Sequence, residues 1–585
     1  MEARELIGNA NNFSVHLSEV YLPAGQMLNL PKPGITVFVG PNNVGKSTIL
    51  KQIHLRIAQG PATYVQPGMP KLFDDLRVEV SGDADDARAW LGMHSRMNND
   101  TTYPTFHRHM AQFVHWHQVG QMLDSVGTGQ GLHDLTSHVL FYGDPWNRIN
   151  FVQPVEMRDR SEDPPGHPIH TLQDRSDLFE ELSALSMRVF SRPLTLDVLS
   201  KMMNIRVGGP SVTTPPVDKV TPEYRGAVSS LPRLEQQGDG MRSFIGLMLP
   251  LITATHQIVL IDEPEAFLHP PQAAQLGKVL GELAREKSMQ IVLATHDKNL
   301  LAGLLQSEAD ISIVRLDRSP ANITTAHQLS VDNLRRIWAD PVLRHTNVLE
   351  GLFHKLTVLA EGDRDCTFYS AALEFLATRE DLPVPSSEIL FVPSGGKGGL
   401  PVLIDVLSSA RVPIVASPDL DVLNDRTFLR RLIESYGGEW GDFEKDYDLA
   451  TQPFRQPRDK FLISVILKSL NDAFKGREGD IFDSATADEF RTLVRSKESP
   501  WKALKQYGES AWRGNPSAAA AAVRLLENLD DLGIVAVRVG ELEGFAPTLD
   551  VRKGPEWVPA AISGGYHQQQ AAQDHLSRLV KRAVG

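Results

Sequence analysis

Gly40-Pro41-Asn42-Asn43-Val44-Gly45-Lys46-Ser47, followed by Thr48, is the stretch whose reading decides the fold. It has the glycine spacing of a phosphate-binding loop. In such a loop backbone N–H groups turn inward around a phosphate, and the next helix adds its positive end. The apolar run 36–40 before it reads as a short buried strand, and residues 47–57 after it read as a helix. Further on, the β-branched runs 257–261 and 290–294 lead into Asp262-Glu263-Pro264 and Thr295-His296-Asp297. Strands alternating with helices imply an α/β fold with a mostly parallel sheet. Gly40, Asn42, Asn43, Gly45, Lys46, Ser47 and Thr48 are then expected to cradle the phosphates of ATP. Lys46 would meet the β- and γ-phosphates, and Ser47 and Asp262 would hold Mg2+. Glu263 is placed to polarise an attacking water, and His296 to sense the γ-phosphate.

A second set of acidic residues begins where a new strand–helix pattern does. Glu361-Gly362-Asp363-Arg364-Asp365 follows the apolar run 356–360, and residues 365–376 read as its helix. Runs 389–392 and 413–416 read as later strands, the second leading into Asp419-Leu420-Asp421. Carboxylates at the C-terminal ends of adjacent parallel strands converge in a crevice. Glu361, Asp365, Asp419 and Asp421 are hard oxygen ligands suited to Mg2+ or Mn2+. A pair of such ions stabilises the entering and leaving oxygens of a phosphodiester displacement.

With 585 residues, 42% apolar and 22% charged, the chain is expected to form two or more ordinary globular domains. The boundary is expected at 350/351. The first domain carries an irregular insertion at 95–225, a candidate dimerisation element with helical stretches near 178–190 and 194–203. The second carries a helix-rich insertion at 425–530 and a return strand at 534–539. His107, His109, His115 and His117 lack a second tight ligand pair, which favours packing or solvation over a metal. No run of 18 apolar residues occurs, so no membrane span is indicated. The first residues lack the apolar core of a secretory signal, and the single Cys366 permits no intrachain disulfide. A reducing cytoplasm is therefore the expected compartment. The net charge of −13 excludes a protein coated in positive charge but not a local basic groove. Residues 425–515 hold 16 Lys and Arg against 16 Asp and Glu, so any groove there must come from how charges sort onto faces.

The first set of motifs resembles the ABC-type ATPase heads of recombination and chromosome-maintenance proteins. There nucleotide is sandwiched between two heads, each offering a signature loop to the other. Gln236-Gln237-Gly238-Asp239-Gly240-Met241-Arg242-Ser243 is the counterpart here, with glutamine in place of the leading serine. Gly238 and Gly240 would supply backbone donors and Arg242 an anion contact. The resemblance implies an ATP-bound homodimer. The second set, with Ser394-Gly395-Gly396-Lys397 as its glycine turn, resembles the Toprim fold. An ABC-type ATPase followed by Toprim resembles the overcoming-lysogenisation-defect (OLD) family of ATP-dependent nucleases, which includes subunits of bacterial anti-phage systems. That resemblance implies a late acidic pair, for which Glu541 and Glu543 stand in position. It also implies a lysine for charge on the scissile phosphate, for which Lys553 is the candidate, and a role for Glu361 as metal ligand or general base. DNA is the implied substrate, RNA the alternative, and a companion protein or non-coding RNA an implied partner.

A different reading is an ATPase sensor or scaffold whose second domain recruits a partner without cleaving. The number of like charges argues against it. A topoisomerase would need a tyrosine-bearing DNA gate, and a primase of the bacterial type a cysteine-rich zinc module. A transporter ATPase would not carry the second motif set.

Overall fold

The computed structural model describes residues 7–581 apart from 24–25, 66, 99–103, 109–110, 128, 160–164, 254–255, 319–323, 330, 340–347, 410, 456–462, 478 and 495–499. His109 lies outside the described residues. The chain divides into two compact units, Met1–Pro341 and Val342–Gly585.

The first unit is organised by six strands: β1 (Gly34–Val39), β2 (Leu140–Gly143), β3 (Ile258–Asp262), β4 (Gln290–Ala294), β5 (Ile311–Arg318) and β6 (Thr324–Leu329). Their order across the sheet is β6-β5-β1-β4-β3-β2, and every pairing is parallel except β5 with β6. Strands β1, β3 and β4 are buried along their whole length. That is why they read as continuous apolar runs rather than alternating ones. Helix α1 (Lys46–Gln59) follows β1, and helix α2 (Pro145–Asn150) follows β2. Helix α3 (Asp239–Ile252) is buried from Ser243 to Ile252. The glutamines that start or precede the central strands tie on a smaller antiparallel sheet. Gln257 Oε1 accepts from Val15 N at 2.6 Å, and Gln290 Oε1 from Leu17 N at 2.7 Å.

Two readings of the irregular segment are corrected here. Residues 95–225 are not simply an excursion, because β2 from within them closes one edge of the main sheet against β3. Residues 194–203 do not form a helix, although 176–190 does as Ser176–Phe190. They form the strand Leu194–Asp197 and the start of Met202–Val207, paired antiparallel. Asp197 explains the change: one carboxylate oxygen accepts the Leu199 N–H at 3.1 Å, which turns the chain. The other accepts the Arg206 Nε–H at 2.6 Å across the ladder.

Among the described histidines of this segment, His107 and His117 are exposed and His115 is half-buried. His107 meets Thr105 Oγ1 at 2.6 Å, and His115 stacks edge-on against Phe113. His138 is fully buried; its Nε2–H donates to Gln112 O at 2.8 Å while Nδ1 accepts from Ser95 Oγ at 3.1 Å. Burial, reinforced by Arg108, lowers the His138 pKa to about 4. The unfolded chain therefore binds a proton that the folded one refuses between pH 6.5 and about 4. The stability this group contributes falls as pH drops through that window. At pH 5 the loss relative to neutral pH is about 2 kcal/mol. Unfolding midpoints at pH 7 and pH 5 check this. The drop should shrink in His138→Asn, which has no proton to gain.

The second unit is built on β7 (Leu356–Ala360), β8 (Ile389–Pro393) and β9 (Ile414–Ser417), in the order β8-β7-β9 and all parallel. Helix α4 (Asp363–Ala377) packs against the C-terminal helix Gln570–Lys581, around a core that includes Phe368, Tyr369, Phe545 and Trp557. The return segment 534–539 is not a continuous strand. It meets the sheet only through the parallel bridges Ala416↔Ile534 and Asp419↔Val537. Val537 N donates to Pro418 O at 2.9 Å, but Pro418 has no N–H to return, so the ladder breaks there. Among the described residues, no helix is long and apolar enough to cross a membrane.

Candidate functional site

In the first unit the chain leaves β1 at Gly40 and enters α1 at Gly45, with φ of +143° and +103°. A side chain at Gly40 would place its Cβ 2.3 Å from Leu316 O, so the loop can pass there only as glycine. Lys46 Nζ folds over the loop and donates to Gly40 O and Pro41 O, both at 2.8 Å. Asn42 and Asn43 are exposed at the loop tip, and Thr48 is half-buried in the first turn of α1. Ser47 Oγ donates to Asp262 Oδ1 at 2.9 Å, joining the loop to the end of β3. Burial raises the Asp262 pKa, and the Ser47 hydrogen bond opposes that. The oxygens of Ser47 and Asp262 are the hard donors a Mg2+ beside phosphates uses.

Glu263, next along, sits in the left-handed region with φ of +45°, held by its N–H to Ala294 O at 3.0 Å. Its Oε1 lies 3.6 Å from His296 Nδ1. The buried Glu265 ties the same turn to β4. Its Oε1 accepts from Thr295 Oγ1 at 2.7 Å and from His296 N at 3.1 Å. Asp297 instead caps the helix Lys298–Leu305, accepting from Asn299 N and Leu300 N. Gly238 stands at the N-cap of α3 with open space on its Cα, and Gly240 lies against Phe267 O. Arg242 pairs with Asp239 on its own helix.

In the second unit, Glu361, Asp419 and Asp421 each offer a carboxylate oxygen within 4.8 Å of the others. Glu361 leaves the end of β7 and accepts the Asp419 N–H at 3.1 Å, so two prospective ligands are fixed to one another. Asp365 caps α4 by accepting the Gly362 N–H at 3.0 Å. A cleft of about 370 Å³ is lined by Glu361, Asp365, Asp419, Glu543, Lys505 and Lys553. Glu541 joins the group through Lys505, whose Nζ lies 3.5 Å from Glu541 Oε2 and 3.3 Å from Asp419 Oδ2. Lys553 Nζ lies 2.7 Å from Glu541 and 3.1 Å from Glu543. Burial first, and the neighbouring Asp419 next, raise the pKa of Glu361 and carry that of Asp365 up to about 6. This is the electrostatic state of carboxylates crowded together out of water. An all-oxygen donor set of this kind fits Mg2+ or Mn2+.

Three cations here were not singled out from the sequence as site residues. Lys397, from the glycine turn, pairs with Asp421, and Lys505 bridges Asp419, Asp421 and Glu541. Arg364 reaches Glu543 at 3.5 Å. At the nucleotide loop, Arg318 Nη1 donates to Asn43 O at 3.2 Å. Lys397 stood inside a quoted motif. Lys505 had no local signal at all.

Known proteins bear on the first unit. Residues 159–302 match the family model described as "AAA domain, putative AbiEii toxin, Type IV TA system". That match takes in Gly238, Gly240, Asp262, Glu263 and His296, and begins inside the segment read as an insertion. An OLD nuclease from Thermus scotoductus (strain ATCC 700910 / SA-01) is 29% identical over 217 residues, covering 35% of this chain and 39% of that protein. The chain is a relative of that OLD nuclease. It spans about two fifths of the length of the relative it matches. Among solved structures, an SMC head bound to the C-terminal winged-helix domain of ScpA aligns at 12% identity with a TM-score of 0.33. It covers 55% of this chain and 98% of that one. The SMC head domain from Thermotoga maritima aligns at 14% identity with a TM-score of 0.29, covering 54% and 98%. The first unit has a P-loop ATPase fold.

Proposed function

We propose that this protein is an ATP-regulated, divalent-metal-dependent endonuclease acting on DNA, with its second unit a Toprim-type nuclease domain. The observation that carries the reading is the meeting of Glu361, Asp419 and Asp421 oxygens within 4.8 Å, from two separate strand ends. Glu361, Asp365, Asp419, Asp421, Glu541 and Glu543 would hold the metal. Bound there, Mg2+ or Mn2+ supplies Lewis-acid stabilisation of the scissile phosphate and its attacking oxygen. The protein's own part is to fix the ligands. Glu361 is locked to the Asp419 backbone, and Asp365 to Gly362. Lys505 and Lys553 stand beside the carboxylates, where their charge can offset that of a phosphate diester.

In the first unit, Lys46, Ser47 and Asp262 are the nucleotide and Mg2+ contacts, Glu263 the general base and His296 the γ-phosphate contact. The open Gly238 loop at the head of α3 suits a second copy of the chain, so the working form is a homodimer. Location in the cytoplasm, a role in anti-phage defence and a companion protein or RNA belong to the same proposal, on the strength of the motif resemblance alone.

The test is incubation of the purified protein with supercoiled plasmid, single-stranded DNA and RNA, in Mg2+ or Mn2+, with and without ATP. Metal-dependent nicking or linearisation of DNA is expected, with an ATP response that Lys46→Ala removes. No cleavage of any nucleic acid under all these conditions hands the reading to the scaffold alternative.

A further inference from the structure

Arg148 lies on the short helix α2, in the segment that sequence reading treated as an insertion, and it is fully buried. Its Nη2 donates to Glu263 O at 3.0 Å. Nothing in helix packing alone requires an arginine here; a buried guanidinium is costly unless it is used. Its Nε and Nη1 are buried and have no hydrogen-bond partner among the described residues. The strongest attractive charge acting on it is Glu265, ahead of Asp144, Asp262 and Glu263. Glu265 is itself buried. One oxygen holds Thr295 and the His296 N–H, while its Oε2 likewise has no hydrogen-bond partner among the described residues. The guanidinium is therefore bonded to the turn that carries Glu263 and lies in the field of the carboxylate that holds the His296 N–H.

The packing of α2 is tight. A Cβ on Gly246 of α3 would come within 2.0 Å of Arg148 O, so the two helices touch backbone to backbone. Helix α3 is the helix headed by Gly238 and Gly240. The left-handed Glu263 backbone is a conformation that a non-glycine residue holds only when its surroundings impose it.

We propose that Arg148 is a positioning residue for ATP hydrolysis, bracing the Glu263 turn through its carbonyl and, with Glu265, keeping Glu263 and His296 in register across β3 and β4. Arg148 is fully buried, and its hydrogen bond goes to the Glu263 carbonyl. It acts through the orientation of Glu263, and so it should move turnover rather than nucleotide affinity.

The inference rests on the ATPase reading, and the experiment separates the two. Steady-state ATP turnover and the Kd of a fluorescent ATP analogue are measured on the full chain as wild type, Arg148→Met, Arg148→Lys and Glu265→Gln. Methionine keeps much of the volume and removes the donors. The expected result for Arg148→Met is a fall in kcat of about 100-fold with Kd changed less than about threefold. Arg148→Lys should recover part of the rate, since one ammonium can still reach the Glu263 carbonyl. Glu265→Gln keeps the acceptor for Thr295 and the His296 N–H but loses the charge facing Arg148; kcat should fall by at least about tenfold, again at constant Kd. If Arg148→Met does not fold, the Glu265→Gln result decides. Wild-type kcat in Glu265→Gln, or in folded Arg148→Met, overturns the brace. So does a parallel loss of kcat and nucleotide binding in both, which marks a purely structural role. Wild-type protein with no ATP turnover sinks the ATPase reading and the brace together.

Discussion

Asp419→Asn is expected to reduce metal-dependent DNA cleavage by roughly a thousandfold or more, the scale on which metal-ion stabilisation of a phosphoryl transition state acts. The substitution keeps shape and removes charge. Asp419 stands where the cleft's interactions cross: its N–H is held by Glu361, its carboxylate faces Lys505, and its side chain is only 13% exposed. Burial raises its pKa, so its charge is held in place at a cost that a divalent cation would repay. In Asp419→Asn, Lys505 remains while one of its counter-charges is gone, and the site becomes less attractive to any cation. A second readout follows from linkage. Mn2+ at a hundredfold excess over its Kd should stabilise wild-type protein by about 2.7 kcal/mol, and the variant by much less. Measuring plasmid cleavage and the Mn2+-dependent unfolding midpoint on the same preparations checks both. Cleavage at wild-type rate in Asp419→Asn would remove the metal site from the mechanism.

Glu263→Gln is expected to lower ATP turnover by about 10²- to 10³-fold while leaving ATP affinity within about threefold, the effect of removing a general base that makes no ground-state contact. The geometry supports this assignment over its neighbour. Glu263 has a side chain 43% exposed beside His296, so water can reach it. Glu265, two residues on, has one oxygen committed to Thr295 and the His296 N–H and lies out of water. If Glu263→Gln turns over ATP normally in a phosphate-release assay, the base is elsewhere. The inactive variant should also accumulate ATP-bound protein. Its mass by light scattering with and without ATP then tests the proposed homodimer.

The nucleotide loop was legible because its signal is local. Gly40, Gly45, Lys46 and Ser47 lie within one turn between one strand and one helix, so spacing along the chain is spacing in space. The strands around it were legible for a similar reason: burial on both faces leaves no exposed positions in β1, β3 and β4, which read as mostly apolar runs. The segment 194–203 was misread because its apolar residues fit either period. What decides it is Asp197, whose bonds to Leu199 and Arg206 appear only after the chain has turned. The break in the return segment was written in the sequence as Pro418, but only the pairing partner shows that its missing N–H falls on the ladder.

By itself the sequence determined that there are two α/β units. It determined a loop built for phosphates in the first, and acidic residues at strand ends in the second. These are consequences of periodicity and of what single side chains can do. Tertiary structure alone decided that Lys397, Lys505 and Arg364 meet those acids, and that Arg148 donates to the carbonyl of Glu263. The reason is physical. A charge in a low-dielectric cleft takes its partner from whatever element folds against it, and the equal numbers of acids and bases along 425–515 carry no record of which ones that will be.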